Sequence, residues 1–285
     1  MDPHEARCSL LARAQGAQLA GTAREGAVFV LVQQEGSWPR EAVGLSRLPD
    51  EIKNHLSVPG VETFLLRGRA KHPAARAAYV VQLQQGVVSG LEHASDEALL
   101  DLDLAALVAG APSPWPSAES LLLVCTHSKR DRCCAEIGRP IYKALAQRWP
   151  TRTWEVSHLG GHRFAGNVVA LPQGWFYGNL DLDSAVATIE ALDEGRLLLD
   201  HLRGRGGLSA EVQYAEIELR RHLGFDRVGG VKVVAHDPGR VVLSVLDASY
   251  ELLIDEVPGP DLLMSCRDDL AKASTCFRTS ALTSR

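Results

Sequence analysis

The chain has 285 residues, 46% of them hydrophobic and 23% charged, and its 30 basic and 35 acidic side chains leave a formal net charge of -5. That length suits two domains, the composition is that of a globular protein rather than a disordered one, and the acidic surplus argues against a general nucleic-acid-binding surface. No stretch approaches the roughly 18 apolar residues of a membrane span, and the first residues carry early acids without the apolar core of a secretory signal. A cytoplasmic, reducing setting is therefore expected, where cysteines serve metal binding or redox chemistry rather than structural disulfides.

In chain order, residues 27–32 (AVFVLV) form a β-branched apolar run, the pattern of a buried strand. A polar loop with Trp38-Pro39 follows. Leu45, Leu48, Ile52 and Leu56 recur at helical spacing, which predicts a helix over 42–56. Residues 61–66 and 77–83 read as strands and 96–107 as an Ala/Leu-rich helix. The Pro/Ser cluster at 109–117 reads as a linker.

The order then repeats. Residues 121–124 are a strand, Cys125 to Cys134 a polar loop, and a helix is predicted from Pro140 to Trp149, with proline suited to its first turn. Residues 152–156 are the next strand, and 167–171 with 175–180 form a hairpin. A helix over 183–202, a flexible GRGG at 204–207, a helix over 210–223, a meander over 231–257 and a polar tail complete the chain. The expected fold is α/β: two similar αβ layers and a small C-terminal αβ extension, divided as 1–113, 114–204 and 205–285. The first copy carries Trp38-Pro39 where the second carries its cysteine loop.

The chemistry concentrates in 121–180. Cys125, Cys133 and Cys134 are followed by His158 and His162, which bracket Gly160-Gly161. Thiolates and imidazoles together form a metal-ligand set. Neighbouring side chains diverge, so Cys133 and Cys134 are not expected to hold one metal atom together. Composition alone leaves zinc, an iron–sulfur cluster and reversible thiol chemistry open, although the absence of C-x-x-C weakens the last.

The run VCTHSKRDRCC, then GRP, then WEVSHLGGHRFAGNVVALPQGWFYG resembles the sucrase/ferredoxin-like family, and the CSLLARAQGAQLAGTA opening and the GRG near 204–206 resemble it more weakly. The resemblance implies thioredoxin-like layers, the second ferredoxin-type. It also implies a [2Fe-2S] cluster held by Cys125, Cys134, His158 and His162; the short spacing of the histidines suggests that both hold one iron and the cysteines the other. Zinc is the alternative cofactor. The implied role is an electron carrier rather than a stand-alone enzyme, serving a redox partner protein and neither nucleic acid nor membrane. Arg132, Cys133, Gly160, Gly161, Arg163 and Asn167 are expected to surround the ligands, with Cys133 read as a small buried residue.

Elsewhere, Cys8 reads as an isolated thiol, and Cys266 with Cys276 as a conceivable second redox or metal pair. His127, Lys129, Arg130 and Arg132 make the cysteine loop basic, which suits thiolates and an acidic partner. His4, His55, His72, His93, His201, His222 and His236 are scattered, as surface or satisfied polar residues are.

Overall fold

The computed structural model describes residues 7–68 and 76–284; His4 and His72 lie outside the described residues. The chain enters through α1 (Cys8–Ala14) and lays down β1 (Val28–Gln33), α2 (Asp50–His55), β2 (Val61–Arg67), β3 (Arg76–Gln82) and β4 (Val87–Ala94). Two short helices, α3 (Asp96–Leu100) and α4 (Leu104–Val108), lead to β5 (Leu121–Cys125), α5 (Arg132–Arg148), β6 (Thr153–Val156), β7 (Val168–Leu171) and β8 (Trp175–Tyr177). Then come α6 (Leu182–Asp193), β9 (Leu202–Arg205) and α7 (Ala210–Leu223). The chain ends in β10 (Val231–Asp237), β11 (Arg240–Val245), β12 (Ala248–Pro258) and β13 (Thr275–Ser284). Among the described residues no helix is long and apolar enough to cross a membrane.

This is an α/β protein, with two sheets among the described residues. The larger has nine strands in the order β4-β3-β1-β2-β6-β5-β7-β8-β9, and β10 to β13 form a second, antiparallel sheet. In the first half β1 pairs parallel with β2 and antiparallel with β3, which pairs antiparallel with β4. The second half repeats this with β5, β6, β7 and β8. The halves meet where β2 pairs antiparallel with β6, Leu66 opposite Val156 and Arg67 opposite Glu155, so one sheet runs through both.

Side chains alternate across a strand, and in this sheet both faces are covered, which is why the strands read as continuous apolar runs. From β1, Phe29 and Leu31 join Phe64, Leu123, Cys125, Trp154 and Phe176 in a core shared by both halves. Phe29 meets Phe64 and Phe176 edge-to-face, with centroids 5.2 and 6.1 Å apart. Val28, Val30 and Val32 face the other way, toward Trp38, Ile52, Leu99 and Leu107. Leu122 and Val124 of β5 pack under α5, α6 and α7 together with β11 and β12 of the small sheet. Each fully buried aliphatic or phenyl side chain contributes roughly 1.5–3 kcal/mol.

Several boundaries differ from the sequence expectations. The helix expected over 42–56 is only α2, because Pro49 sits at its N-cap with φ -52° and ψ 146°, and a residue preceding proline is pushed away from helical geometry. Leu45 is accordingly exposed. The 96–107 helix divides into α3 and α4, since Asp103 caps a new start by accepting from the Ala106 N–H at 2.9 Å. The GRGG segment is not a free linker: β9 pairs with β8 through Arg205 and Gly204. The polar tail forms β13 along β12.

Candidate metal centre

Two elements present the cysteines. Cys125 ends β5, and its carbonyl oxygen lies against Gly138 of α5, where an added Cβ would overlap it; the glycine lets helix and strand close up. The helix itself begins at Arg132, well before Pro140, because the Asp131 carboxylate caps it, accepting from the Cys133 N–H at 3.0 Å. Pro140 therefore lies inside the helix. Only residues 126–131 separate strand from helix, so Cys134, on the first turn, reaches Cys125. Both are buried, at 1% exposure. The Cys134 thiol hydrogen bonds to Cys125 and, with His158, holds Cys125 well below the ordinary thiol range, while that same bond and burial hold Cys134 well above it.

The histidines come from the turn after β6. Gly160 and Gly161 take φ values of +82° and +63°, which favour glycine, and Gly161 precedes a single 3-10 turn over His162–Phe164. The space beside the glycines is filled by arginines: a Cβ would meet Arg24 Nε at 2.9 Å from Gly160 and Arg203 Nη2 at 2.6 Å from Gly161. Their role is to admit those guanidiniums. Arg203 is fully buried and donates to Thr22 Oγ1 at 3.0 Å, Gly160 O at 3.2 Å and Asn167 Oδ1 at 2.9 Å. Its pKa is pushed down to about 9 by burial and by the neighbouring Arg163 and Arg24. Asn167 in turn donates to Gly161 O at 3.0 Å. The histidine turn is thus tied to β9 and to the segment before β1.

One ligand atom each from Cys125, Cys134 and His158 lie within 4.8 Å of one another. His162 stands beside them, its ring centroid 4.9 Å from that of His158, but its nitrogens do not come within that limit of all three. It also lies 3.9 Å, through Nε2, from Asp131 Oδ2. Burial and the adjacent His158 lower the His162 pKa. A cavity of about 580 Å³ opens at His158, lined by Arg24, Arg40, Glu62, Phe64 and Arg130.

The other expected neighbours divide. Gly160, Gly161 and Asn167 shape the histidine turn. Arg163 stacks over Phe164 at 4.5 Å, and Arg132 is ion-paired to Glu136 at 3.5 Å. Cys133 points away from Cys134, as consecutive side chains do, and its sulfur lies 3.7 Å from Cys8 and 3.1 Å from Cys266. Cys8 is thus not isolated. Cys266 and Cys276 do not come together: Cys266 joins Cys8 and Cys133, whereas Cys276 sits in β13 and belongs to no such group among the described residues. Sequence reasoning missed Asp131 and Arg203. Asp131 carried a local signal, an Asp just before a helix; Arg203, contacting residues 22, 160 and 167, carried none.

The first half supplies a lid over the cysteine loop. His127 donates from Nε2 to Pro39 O at 2.8 Å, and its ring meets Trp38 edge-on at 5.7 Å. Arg67 lies 4.2 Å over Trp38 and pairs with Glu155 at 2.9 Å. Glu155 also accepts from the buried Thr126 hydroxyl at 2.5 Å.

The donor set fits a thiophilic metal group. Two buried thiols face two imidazoles whose Nδ1 atoms are buried without a hydrogen-bond partner, a costly state that a metal ligand relieves. Proteins named Altered inheritance of mitochondria protein 32 are similar over part of the chain. The one from Meyerozyma guilliermondii is 29% identical over 97 residues, covering 30% of this chain and 34% of that protein. The one from Clavispora lusitaniae is 31% identical over 100 residues, covering 32% and 36%, and the one from Saccharomyces cerevisiae is 33% identical over 97 residues, covering 29% and 31%. The chain spans about a third of the length of these curated relatives. No solved structure matches it. Residues 19–204, which hold Thr22, both cysteines, both histidines and Arg203, match one family throughout, and the chain therefore belongs to the sucrase/ferredoxin-like family.

Proposed function

We propose that this protein is a one-electron carrier whose second half holds a [2Fe-2S] cluster on Cys125, Cys134, His158 and His162. The observation that carries the reading is that three of these ligands lie within 4.8 Å of one another while His162 falls outside that limit. A single tetrahedral zinc requires all four donors close around one ion, at about 2.0–2.3 Å from it. A centre with two metal atoms accommodates a wider set. When bound, such a cluster supplies one reversible electron step at a potential raised by imidazole in place of thiolate.

The protein's own groups then have distinct tasks. Cys125 and Cys134, assigned to one iron, are buried in the shared core, which keeps water from the thiolates. His158 and His162, assigned to the other, sit on the half-buried side, His158 at the cavity edged by Arg24, Arg40 and Arg130. Electrons would leave by that edge. The arginine rim suits an acidic surface on a redox partner protein. A ring nitrogen not used as a ligand can hold a proton, which would link electron uptake to proton uptake. The strand order β6-β5-β7-β8, with β7 antiparallel to both neighbours, supports the thioredoxin-like description of this half. Six free cysteines support a reducing compartment such as the cytoplasm.

The test is iron, sulfide and zinc content of protein purified without oxygen, with an EPR spectrum after dithionite. About two irons and two sulfides per chain and an anisotropic signal from a reduced binuclear centre are expected. A colourless protein with zinc at these four residues would replace this reading with a mononuclear site, and metal-free, cysteine-dependent disulfide reduction would replace it with a thiol oxidoreductase.

A further inference from the structure

A second thiol group stands next to the first and takes no part in holding the cluster. Cys8 from α1, Cys133 from α5 and Cys266 from the segment between β12 and β13 place their sulfurs 3.7, 3.1 and 3.5 Å apart in a triangle. Asp131 closes the set: its Oδ1 is 3.8 Å from the Cys8 sulfur, and all four ligand atoms lie within 4.8 Å of one another. Three of the four are buried, with Ala165, Ile137 and Leu263 packed around the thiols.

We propose that Cys8, Cys133, Cys266 and Asp131 form a separate metal site that takes one thiophilic divalent cation of the zinc class. Three arguments carry it. A tetrahedral zinc with bonds of about 2.3 Å to sulfur sets its sulfurs about 3.8 Å apart, which the observed triangle approaches on every edge with only small adjustment. A disulfide would use only two of the three sulfurs, whereas one ion takes all three. The carboxylate is also already aimed: Asp131 accepts from the Cys133 N–H at 3.0 Å, the Ser265 hydroxyl at 2.8 Å and the Cys266 N–H at 2.9 Å, and the Oδ1 position that accepts from the Cys8 thiol at 3.8 Å is freed for the metal when that thiol loses its proton. Unlike the first group, this one closes around a single ion. On binding, the thiols release their protons to solvent and the ion takes three thiolates and one carboxylate.

Such an ion would join segments 258 residues apart in sequence and fix α1 and the β12–β13 connection on the first turn of α5, the turn that also presents Cys134. Asp131 touches both groups, lying 3.9 Å from His162 Nε2.

The experiment uses the full chain and its Cys125→Ser and Cys266→Ser variants, loaded with Zn²⁺ or with Co²⁺ as a coloured substitute. Wild-type protein is expected to hold about one zinc per chain beyond any iron. That zinc should survive C125S, which disables only the first group, and fall at least fivefold in C266S, with far-UV circular dichroism unchanged. Co²⁺-loaded C125S should show sulfur-to-cobalt absorption and the strong visible bands of tetrahedral thiolate coordination. Zinc lost in C125S but kept in C266S would overturn the proposal, and so would a Cys133–Cys266 disulfide in protein purified without oxygen. The cobalt spectrum of C125S does not depend on C266S folding, and its absence would also overturn the site. Iron content is read independently, so failure of the cluster reading and failure of this one give different results.

Discussion

The two halves of the large sheet have the same strand order and the same directions, yet among the described residues only one carries a cysteine–histidine group. In β1 and β5 the same alternation sends one set of side chains into the shared core and the other toward helices. The difference lies in the connection that leaves each of these strands. After β5, six residues lead directly into a 17-residue helix whose first turn holds Cys133 and Cys134. After β1, residues 34–49 loop outward before a 6-residue helix, and that loop brings Trp38 and Pro39 onto His127. One scaffold can therefore build a site or cover one, according to whether its first crossover is tight or long. The half without the cysteine–histidine group supplies the roof of the half with it.

The largest expected effect isolates the first turn of α5. Cys134→Ser should reduce bound iron to background, whereas Cys133→Ser should leave the visible chromophore in place, because the two side chains enter different groups. Iron per chain and visible absorbance of both variants decide this. Equal loss in the two would mean that the vicinal pair acts as one unit and that the divergence of the side chains has no functional meaning.

The roof should give the second-largest effect. Trp38 is buried, donates through Nε1 to Gln34 O at 3.1 Å and carries the Arg67 guanidinium on its face. Trp38→Ala should cost about 3–5 kcal/mol in urea unfolding, and Trp38→Phe clearly less. If the loop is a cover, the chromophore of W38A should also bleach faster in air than that of W38F. A cost below about 1 kcal/mol would show that the first half merely adjoins the site.

A pH effect tests the same contact. His127 donates from Nε2 to Pro39, and its Nδ1 is buried without a partner, so the folded ring is neutral and protonation would strand a second donor. Burial is the main cause that holds its pKa below the ordinary value of about 6.5. The unfolded chain therefore binds the proton first: the contribution of His127 is fully present above about pH 6.5 and declines as the pH falls toward the folded pKa. His162 shifts in the same direction. His127→Gln keeps a donor for Pro39 without the titration, so its urea midpoint should fall less between about pH 7.5 and about pH 5.5 than that of wild type. An unchanged slope would show that the His127 ring does not carry the pH effect.

How much of this was legible depended on how local the cause was. The strands announced themselves because apolar runs with β-branched residues need no distant partner, and the H-x-x-x-H turn with its two glycines was readable as a unit. The start of α5 was misplaced because Pro140 looked like a first-turn signal, while the Asp131 cap lay earlier, among basic residues that read as a loop. The group of Cys8, Cys133 and Cys266 had no sequence signal at all, since its members come from three elements. The arginine contacts that brace the histidine turn were equally silent, for Arg203 lies 41 or more residues from both histidines in the sequence.

The smallest expected effect lies in the helices that follow the fourth strand of each half. Asp181 caps α6 reciprocally: it accepts from the Ser184 N–H at 2.8 Å, and the Ser184 hydroxyl accepts from the Asp181 N–H at 2.9 Å. Ser95 caps α3 with one bond, from the Ala98 N–H at 3.2 Å. Asp181→Ala should therefore cost about 1 kcal/mol and Ser95→Ala about half of that in urea unfolding. The α6 helix also packs on α5 through the core that holds Ile141, Leu145, Ala185 and Ile189, so D181A should loosen the second half more than S95A loosens the first. Hydrogen exchange along α5 reads that difference directly. Equal protection of α5 in the two variants would mean that the longer helices of the second half are held by their core alone, and that capping plays no part in what distinguishes the halves.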